Sequence, residues 1–207
     1  LGVFWDKASA ELVALAERLG APVLTTSKCK GAIPEDHPLR AGCVIGGIIE
    51  RELVMQSDLI VTVGLDAVEL QPKPWPYTIP VISLSNTPSL EAMIPAQSEI
   101  VGNLKSMLAA LAEFSPEGSG WGESAAKTFR QQVSEALDVP TKGLSPQGTM
   151  AVARAVLPRE TVATCDAGAS RLLVVQKWQT YGPREFLTSN GLGSMGFAVP
   201  GALAARL

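Results

Sequence analysis

The stretch TSNGLGSMGFAVPGA, Thr188 to Ala202, sets Gly191, Gly193 and Gly196 at GxGxxG spacing. Glycines so spaced seat a dinucleotide pyrophosphate when they link a buried strand to a helix and an acidic residue about 20 positions further on holds the ribose. The sequence reaches Leu207 before that acidic residue, and Met195 puts a long apolar side chain between the second and third glycines, where backbone should approach phosphate. Met195 reads either as a core gap-filler or as a side chain with a task of its own. A second loop of small residues, CDAGAS at 165–170, ends the preceding strand signal. Ligands of open parallel sheets bind at the carboxyl edge of the strands, where both loops fall. Gly168, Gly191 and Gly193 allow unusual dihedrals, and the helix starting after Gly168 offers amide donors to a phosphate. Asp166 reads either as a ligand or as a helix-capping, loop-bracing residue.

Other chemistry is sparse. Cys29, Cys43 and Cys165 are isolated and lack zinc-ligand spacing, so they read as small apolar side chains of a reducing compartment. His37, in PEDHPL, reads as an exposed loop residue. The chain carries 17 basic and 20 acidic residues, a net charge of −3, with no Lys/Arg run to track a phosphate backbone, and nucleic acid is not an expected partner. No apolar run approaches the roughly 20 residues that span a bilayer, and LGVFWDKASA has no signal-peptide pattern. The expectation is a cytoplasmic protein without a membrane partner.

The elements that must position the loops follow from hydrophobic pattern. ASAELVALAERLG is a helix with Ser9 as candidate N-cap and Gly20 as C-terminal cap. Unalternated apolar runs predict buried parallel strands near 22–26, 58–63 and 80–84, with a further short strand near SEIVG. Helical patterns fall at GGIIERELVMQSD, NLKSMLAALAEF and SAAKTFRQQVSEAL. Breaks at SPEGSGWGE and DVPTKGLSPQG interrupt the pattern, and Ser145 with Pro146 marks a new helix start. ETVATCDAG and REFLTS read as strands, and GFAVPGALAARL as a helix. The fold class is α/β: a Rossmann-like parallel sheet with helices on both faces over 1–137, a linker at 138–145, and an incomplete second α/β domain over 146–207.

LAERLGAPVLTTSKCKGAIPEDHPL followed by SDLIVTVG resembles the central domain of thiamine diphosphate-dependent enzymes of the acetolactate synthase, pyruvate oxidase and benzoylformate decarboxylase type. DAG followed by TSNGLGSMGFAVPGALAA resembles the start of their C-terminal diphosphate-binding domain. The resemblance implies a piece of a 2-oxo acid decarboxylase or carboligase, a lyase or transferase when complete, working with thiamine diphosphate and magnesium as a homodimer or homotetramer. It assigns Gly168, Ala169, Ser170, Gly191, Leu192, Gly193 and Met195 to the cofactor. At the position of Met195 the family has a bulky apolar wedge that bends the cofactor, and the Gly193 carbonyl would accept a hydrogen bond from its amino group. Acetolactate synthases tend to carry Gln-His where this chain has Ala169 and Ser170. The family's activating glutamate belongs to an N-terminal domain, and its metal-holding GDG motif would lie beyond Leu207. No catalytic side chain or metal ligand is therefore expected among these residues, and the chain alone is expected to be inactive. Central domains of the family hold FAD, ADP or nothing. Trp75 and Tyr77, after the strand at 58–63, read either as stacking on a ring or as covering the sheet edge. The alternative reading of the whole is a non-catalytic module binding FAD, ADP or NAD.

Overall fold

Helices and parallel strands alternate along the chain in the computed structural model, which describes residues 1–66, 69–70, 74–88, 94–118, 120–138, 140 and 142–207. A short helix, α1 (Gly2–Trp5), leads into α2 (Ser9–Leu19). The N-cap of α2 is Ala8, not Ser9 as the sequence suggests. Burial explains the difference. Ala8 is fully buried, and its N–H donates to the Val3 carbonyl at 2.9 Å, so core packing fixes the entry of the chain. Gly20 ends the helix at φ 57°, in the left-handed region.

Every strand pair described is parallel. β1 (Val23–Thr25) pairs with β2 (Arg40–Cys43). β4 (Val81–Ser85) lies between β3 (Ile60–Val63) and β5 (Ser98–Val101). The strands expected near 22–26, 58–63, 80–84 and SEIVG are all present, whereas β2 lacks the apolar run that would reveal it. Hydrogen bonding also separates β1–β2 from β3–β4–β5, where the sequence suggested one sheet.

Helices cover these strands. α2 packs with α4 (Leu104–Phe114) over β4, burying Leu15, Leu84, Leu104 and Leu108 together with Val3 and Phe4. α3 (Ile48–Val54) and α5 (Trp121–Leu137) pack with β2 through Leu53, Ala41, Ala126 and Phe129. After the break, α6 (Pro146–Val156) starts as expected: the Ser145 hydroxyl accepts the Gly148 N–H at 2.9 Å, with Pro146 in the first turn. β6 (Ala163–Cys165), α7 (Ala169–Lys177), β7 (Phe186–Thr188) and α8 (Ala198–Arg206) complete the chain, with β6 and β7 paired in parallel.

The segments on either side of 138–145 are packed on each other. Cys43 of β2 shares a core cluster with Cys165, Val175, Trp178 and Phe186. At this seam the Lys30 side chain is 0% exposed. Its Nζ donates to the Val175 carbonyl at 2.9 Å, stands 3.9 Å from both Glu35 Oε2 and Cys43 Sγ, and lies 5.9 Å from the centre of the Phe186 ring. Val175 is in the last turn of α7, where carbonyls have no amide partner within the helix. The ammonium closes one of them at the negative end of the helix dipole. Glu35 also pairs with Arg40 at 2.6 Å, and its N–H donates to the Thr180 carbonyl at 3.0 Å. Two further ion pairs, Arg159–Asp36 and Lys177–Asp138, both at 2.7 Å, tie the outer margin.

Candidate functional site

β6 delivers the chain into Asp166–Gly168, and α7 begins at Ala169. Gly168 has φ 127° and ψ 178°, a backbone geometry that a side chain would strain, and a Cβ placed there would meet nothing within 4 Å. Among the described residues, the turn is therefore open on the side a Cβ would occupy. No side chain caps α7. The amides of Ala169 and Ser170 fall among the first N–H groups of a helix, which have no carbonyl four residues back within it.

The second loop follows β7. Ser189 Oγ accepts the Ser194 N–H at 2.9 Å, drawing residues 189–194 into a tight turn, and Gly193 adopts φ 59°. A Cβ on Gly193 would lie 3.9 Å from the Ala167 Cβ, so the two loops run side by side. Asp166 joins them. Its Oδ1 accepts the N–H groups of Phe197 and Ala198 at 2.6 and 2.9 Å, at the start of α8. Of the two readings of Asp166, the capping and bracing one describes its contacts. Thr164 Oγ1 donates to the Ala198 carbonyl at 2.8 Å, adding a second tie between β6 and α8.

The predicted positions thus gather at the carboxyl ends of paired parallel strands: Gly168 with Ala169 and Ser170 at the start of α7, and Gly191, Leu192, Gly193 and Met195 on the adjoining loop. Leu192 is 97% and Met195 86% exposed. Among the described residues the Met195 side chain stands outside the core clusters.

Sequence reasoning missed Arg171. It sits in the first turn of α7, and its Nη1 donates to the Ser189 carbonyl at 3.2 Å and to Asn190 Oδ1 at 2.5 Å. Asn190 Nδ2 donates in turn to Ser27 Oγ at 3.4 Å, in the 3-10 turn Ser27–Cys29. The visible signal was a cation at the start of a helix, the end where cations are disfavoured.

The remaining candidates are structural. Cys29, Cys43 and Cys165 are buried free thiols. Burial pushes the Cys29 and Cys165 thiols above the ordinary range, which favours their protonated form. His37 is not exposed as expected. Its side chain is held at the loop by Glu17 Oε1, 3.2 Å from Nε2, and by the Leu39 N–H, which donates to Nδ1 at 3.2 Å. Residues 67–68 and 71–73 of the loop after β3 lie outside the described residues. Within that loop, Trp75 meets Tyr77 edge to face with ring centres 5.2 Å apart. The Tyr77 hydroxyl donates to Glu50 Oε1 at 2.9 Å. Glu50 Oε2 accepts the N–H groups of Ile45 and Gly46 at 2.7 and 2.8 Å, so a resident carboxylate already occupies the turn after β2. Burial first, then the Glu50 charge, hold the Tyr77 phenol far above its ordinary range. Among the described residues no group of three His, Cys, Asp or Glu side chains is placed to hold a metal ion, and no helix is long and apolar enough to cross a membrane.

Residues 1–111 match the family model of the thiamine pyrophosphate enzyme central domain, over more than half of the chain, and residues 166–207 match that of the C-terminal TPP binding domain. The chain belongs to the thiamine pyrophosphate enzyme family. Among curated proteins it is 30% identical to a probable acetolactate synthase large subunit of Methanocaldococcus jannaschii and 29% identical to one of Methanococcus aeolicus. Each match covers 100% of this chain and 38% of the relative. It is also 27% identical to a probable 2-ketoarginine decarboxylase of Pseudomonas aeruginosa, over 97% of this chain and 36% of that protein. The chain thus spans well under half the length of these relatives. The open turn at Gly168, the uncapped start of α7 and the exposed apolar rim at Leu192 and Met195 fit a ligand with an anionic end and an aromatic body, as the family's cofactor has.

Proposed function

We propose that these residues form the diphosphate-side half of the active site in a thiamine diphosphate-dependent enzyme acting on a 2-oxo acid, by decarboxylation with or without carboligation, in the manner of an acetolactate synthase. The observation that carries this reading is the adjoining pair of loops: one turns at Gly168 into the start of α7, which no side chain caps, and the other approaches it at Gly193 and carries the exposed Met195. When bound, thiamine diphosphate supplies an electron sink for the carbon that loses carbon dioxide. The chain's own part is positional. The amides of Ala169 and Ser170 would hold the diphosphate end at a helix N-terminus, and magnesium would supply further charge compensation. Met195, exposed on the second loop, would supply the apolar surface against which the cofactor rests. The Gly193 carbonyl would be the acceptor for the cofactor's amino group, a backbone role in place of a side-chain base. Asp166, bound to α8, keeps both loops in register.

In this reading residues 1–137 form the central domain, 138–145 the linker and 146–207 the first part of the diphosphate-binding domain. The nucleotide-module alternative finds less support, because the Glu50 carboxylate already takes the amides of Ile45 and Gly46 that a phosphate would need after β2, and Tyr77 is committed to the same carboxylate.

The test uses the full-length protein with thiamine diphosphate and magnesium. Carbon dioxide release from a panel of 2-oxo acids supports the assignment, and no release from any of them defeats it. Met195→Ala is expected to lower turnover by about 100-fold, the scale of a misplaced reacting group, while cofactor affinity changes little. Unchanged turnover removes the wedge from the mechanism.

A further inference from the structure

Arg171 is placed where local electrostatics oppose it. It lies in the first turn of α7, where the helix dipole is positive and a cation is disfavoured. Among the described residues no carboxylate is paired with it. Its guanidinium instead spans to the other loop, donating through Nη1 to the Ser189 carbonyl and to Asn190 Oδ1. Asn190 continues the chain of contacts to Ser27 Oγ, across the seam from the segment before the linker. The result is one polar line, Ser27–Asn190–Arg171, that fastens the start of the glycine loop to the first turn of α7 and to the preceding domain.

We propose that Arg171 is a positioning residue that sets the spacing between the two ends of the cofactor cradle, with Asn190 as its partner. This rests on the thiamine diphosphate reading above. One end of the cradle is the amide group at Gly168–Ser170, on the helix that carries Arg171. The other is Gly191–Met195, which begins one residue after Asn190. A ligand gripping only the first end has no use for the spacing. A ligand spanning both ends binds well only when the ends are held in register.

That difference supplies the test. In the full-length enzyme with magnesium, the affinities of inorganic pyrophosphate and of thiamine diphosphate are measured by calorimetry for the wild type, Arg171→Gln, Arg171→Lys and Asn190→Ala, alongside thermal melting. The clamp requires pyrophosphate affinity to stay within about two-fold in all four proteins. Thiamine diphosphate affinity falls by about ten-fold or more in Arg171→Gln and Asn190→Ala, the scale of a lost hydrogen bond to a charged group. Arg171→Lys, which keeps a cationic donor on a head of different shape and reach, falls between them and the wild type. Arg171→Gln melts below the wild type by only a few degrees, because relief of the cation at the positive end of the helix offsets part of the lost contacts. A purely structural arginine would give lower melting with unchanged affinities, and that result overturns the proposal. An equal loss of both affinities also overturns it, since the charge would then act on the diphosphate directly. If the wild type fails to bind thiamine diphosphate, the functional assignment itself falls; if it binds and the variants match it, only the clamp does.

Discussion

Replacing Glu50 separates two descriptions of a buried carboxylate. Its residue is 4% exposed, and its two oxygens have distinct tasks: Oε2 accepts two backbone N–H groups while Oε1 accepts the Tyr77 hydroxyl. Glutamine reproduces this pattern when its carbonyl takes the Oε2 position and its amide nitrogen the Oε1 position, because the Tyr77 hydroxyl can turn and accept. What Glu50→Gln loses is the charge assistance, about 1 kcal/mol, offset in part by the lighter desolvation of a neutral group. Glu50→Ala loses all three bonds and the packing of the side-chain stem. Ile45 and Gly46 are exposed enough for their amides to recover water, so the cost stays near 3 kcal/mol and does not reach the full penalty of three buried orphans. For a chain of 207 residues, about 1 kcal/mol moves the melting temperature by roughly 2–4 °C. Glu50→Gln should therefore melt within about 4 °C of the wild type and Glu50→Ala roughly 6–12 °C lower in calorimetric or circular-dichroism melts. Equal loss in the two variants would refute the reasoning, for it would mean that the negative charge itself is required there.

Asp166→Ala should cost about 1–2 kcal/mol by uncapping α8, read as lost amide-exchange protection at Phe197 and Ala198; full protection there would contradict the bracing role. Asp138 is held below the usual carboxylate range first by the hydrogen bond from Lys177 and then by that from Ser134. A depressed carboxylate contributes stability that is complete above its unfolded value, about 3.9, and is lost as pH falls through the lower folded value. The melting difference between wild type and Asp138→Asn should accordingly be constant near neutrality and close below about pH 4, and a gap that persists at acid pH would exclude this ion pair as its source.

The loops of the candidate site were legible because small residues in unbroken sequence carry them, each directly after an apolar strand. β3 and β4 were legible for the same reason. β2 was not. Its sequence RAGC contains a charge and a glycine, and both make sense only in three dimensions: Arg40 meets Glu35, and a Cβ on Gly42 would fall 2.5 Å from the Phe129 ring. The alanine cap of α2 was hidden because core burial, not capping chemistry, decided it. The Tyr77 bond of Glu50 and the Ser189 bond of Arg171 were hidden because they join residues 27 and 18 positions apart, at separations that no local pattern encodes. Lys30 is the extreme case, with a partner 145 residues away.

The ammonium of Lys30 also bears on how such a protein can be assembled from parts. The ribosome releases it long before the carbonyl it serves, so until α7 docks it must remain hydrated, and its pocket beside Cys43 and Glu35 must remain wet. Drying that pocket and finishing α7 are then a single event, which couples the two segments in folding whatever the composition of the residues between them. The same coupling limits modular exchange. A chimera joined at 138–145 that took its C-terminal part from a relative with a differently placed helix end would inherit a buried charge stripped of its shortest acceptor, and a sequence break that looks like a free cutting point would prove to be a bound seam.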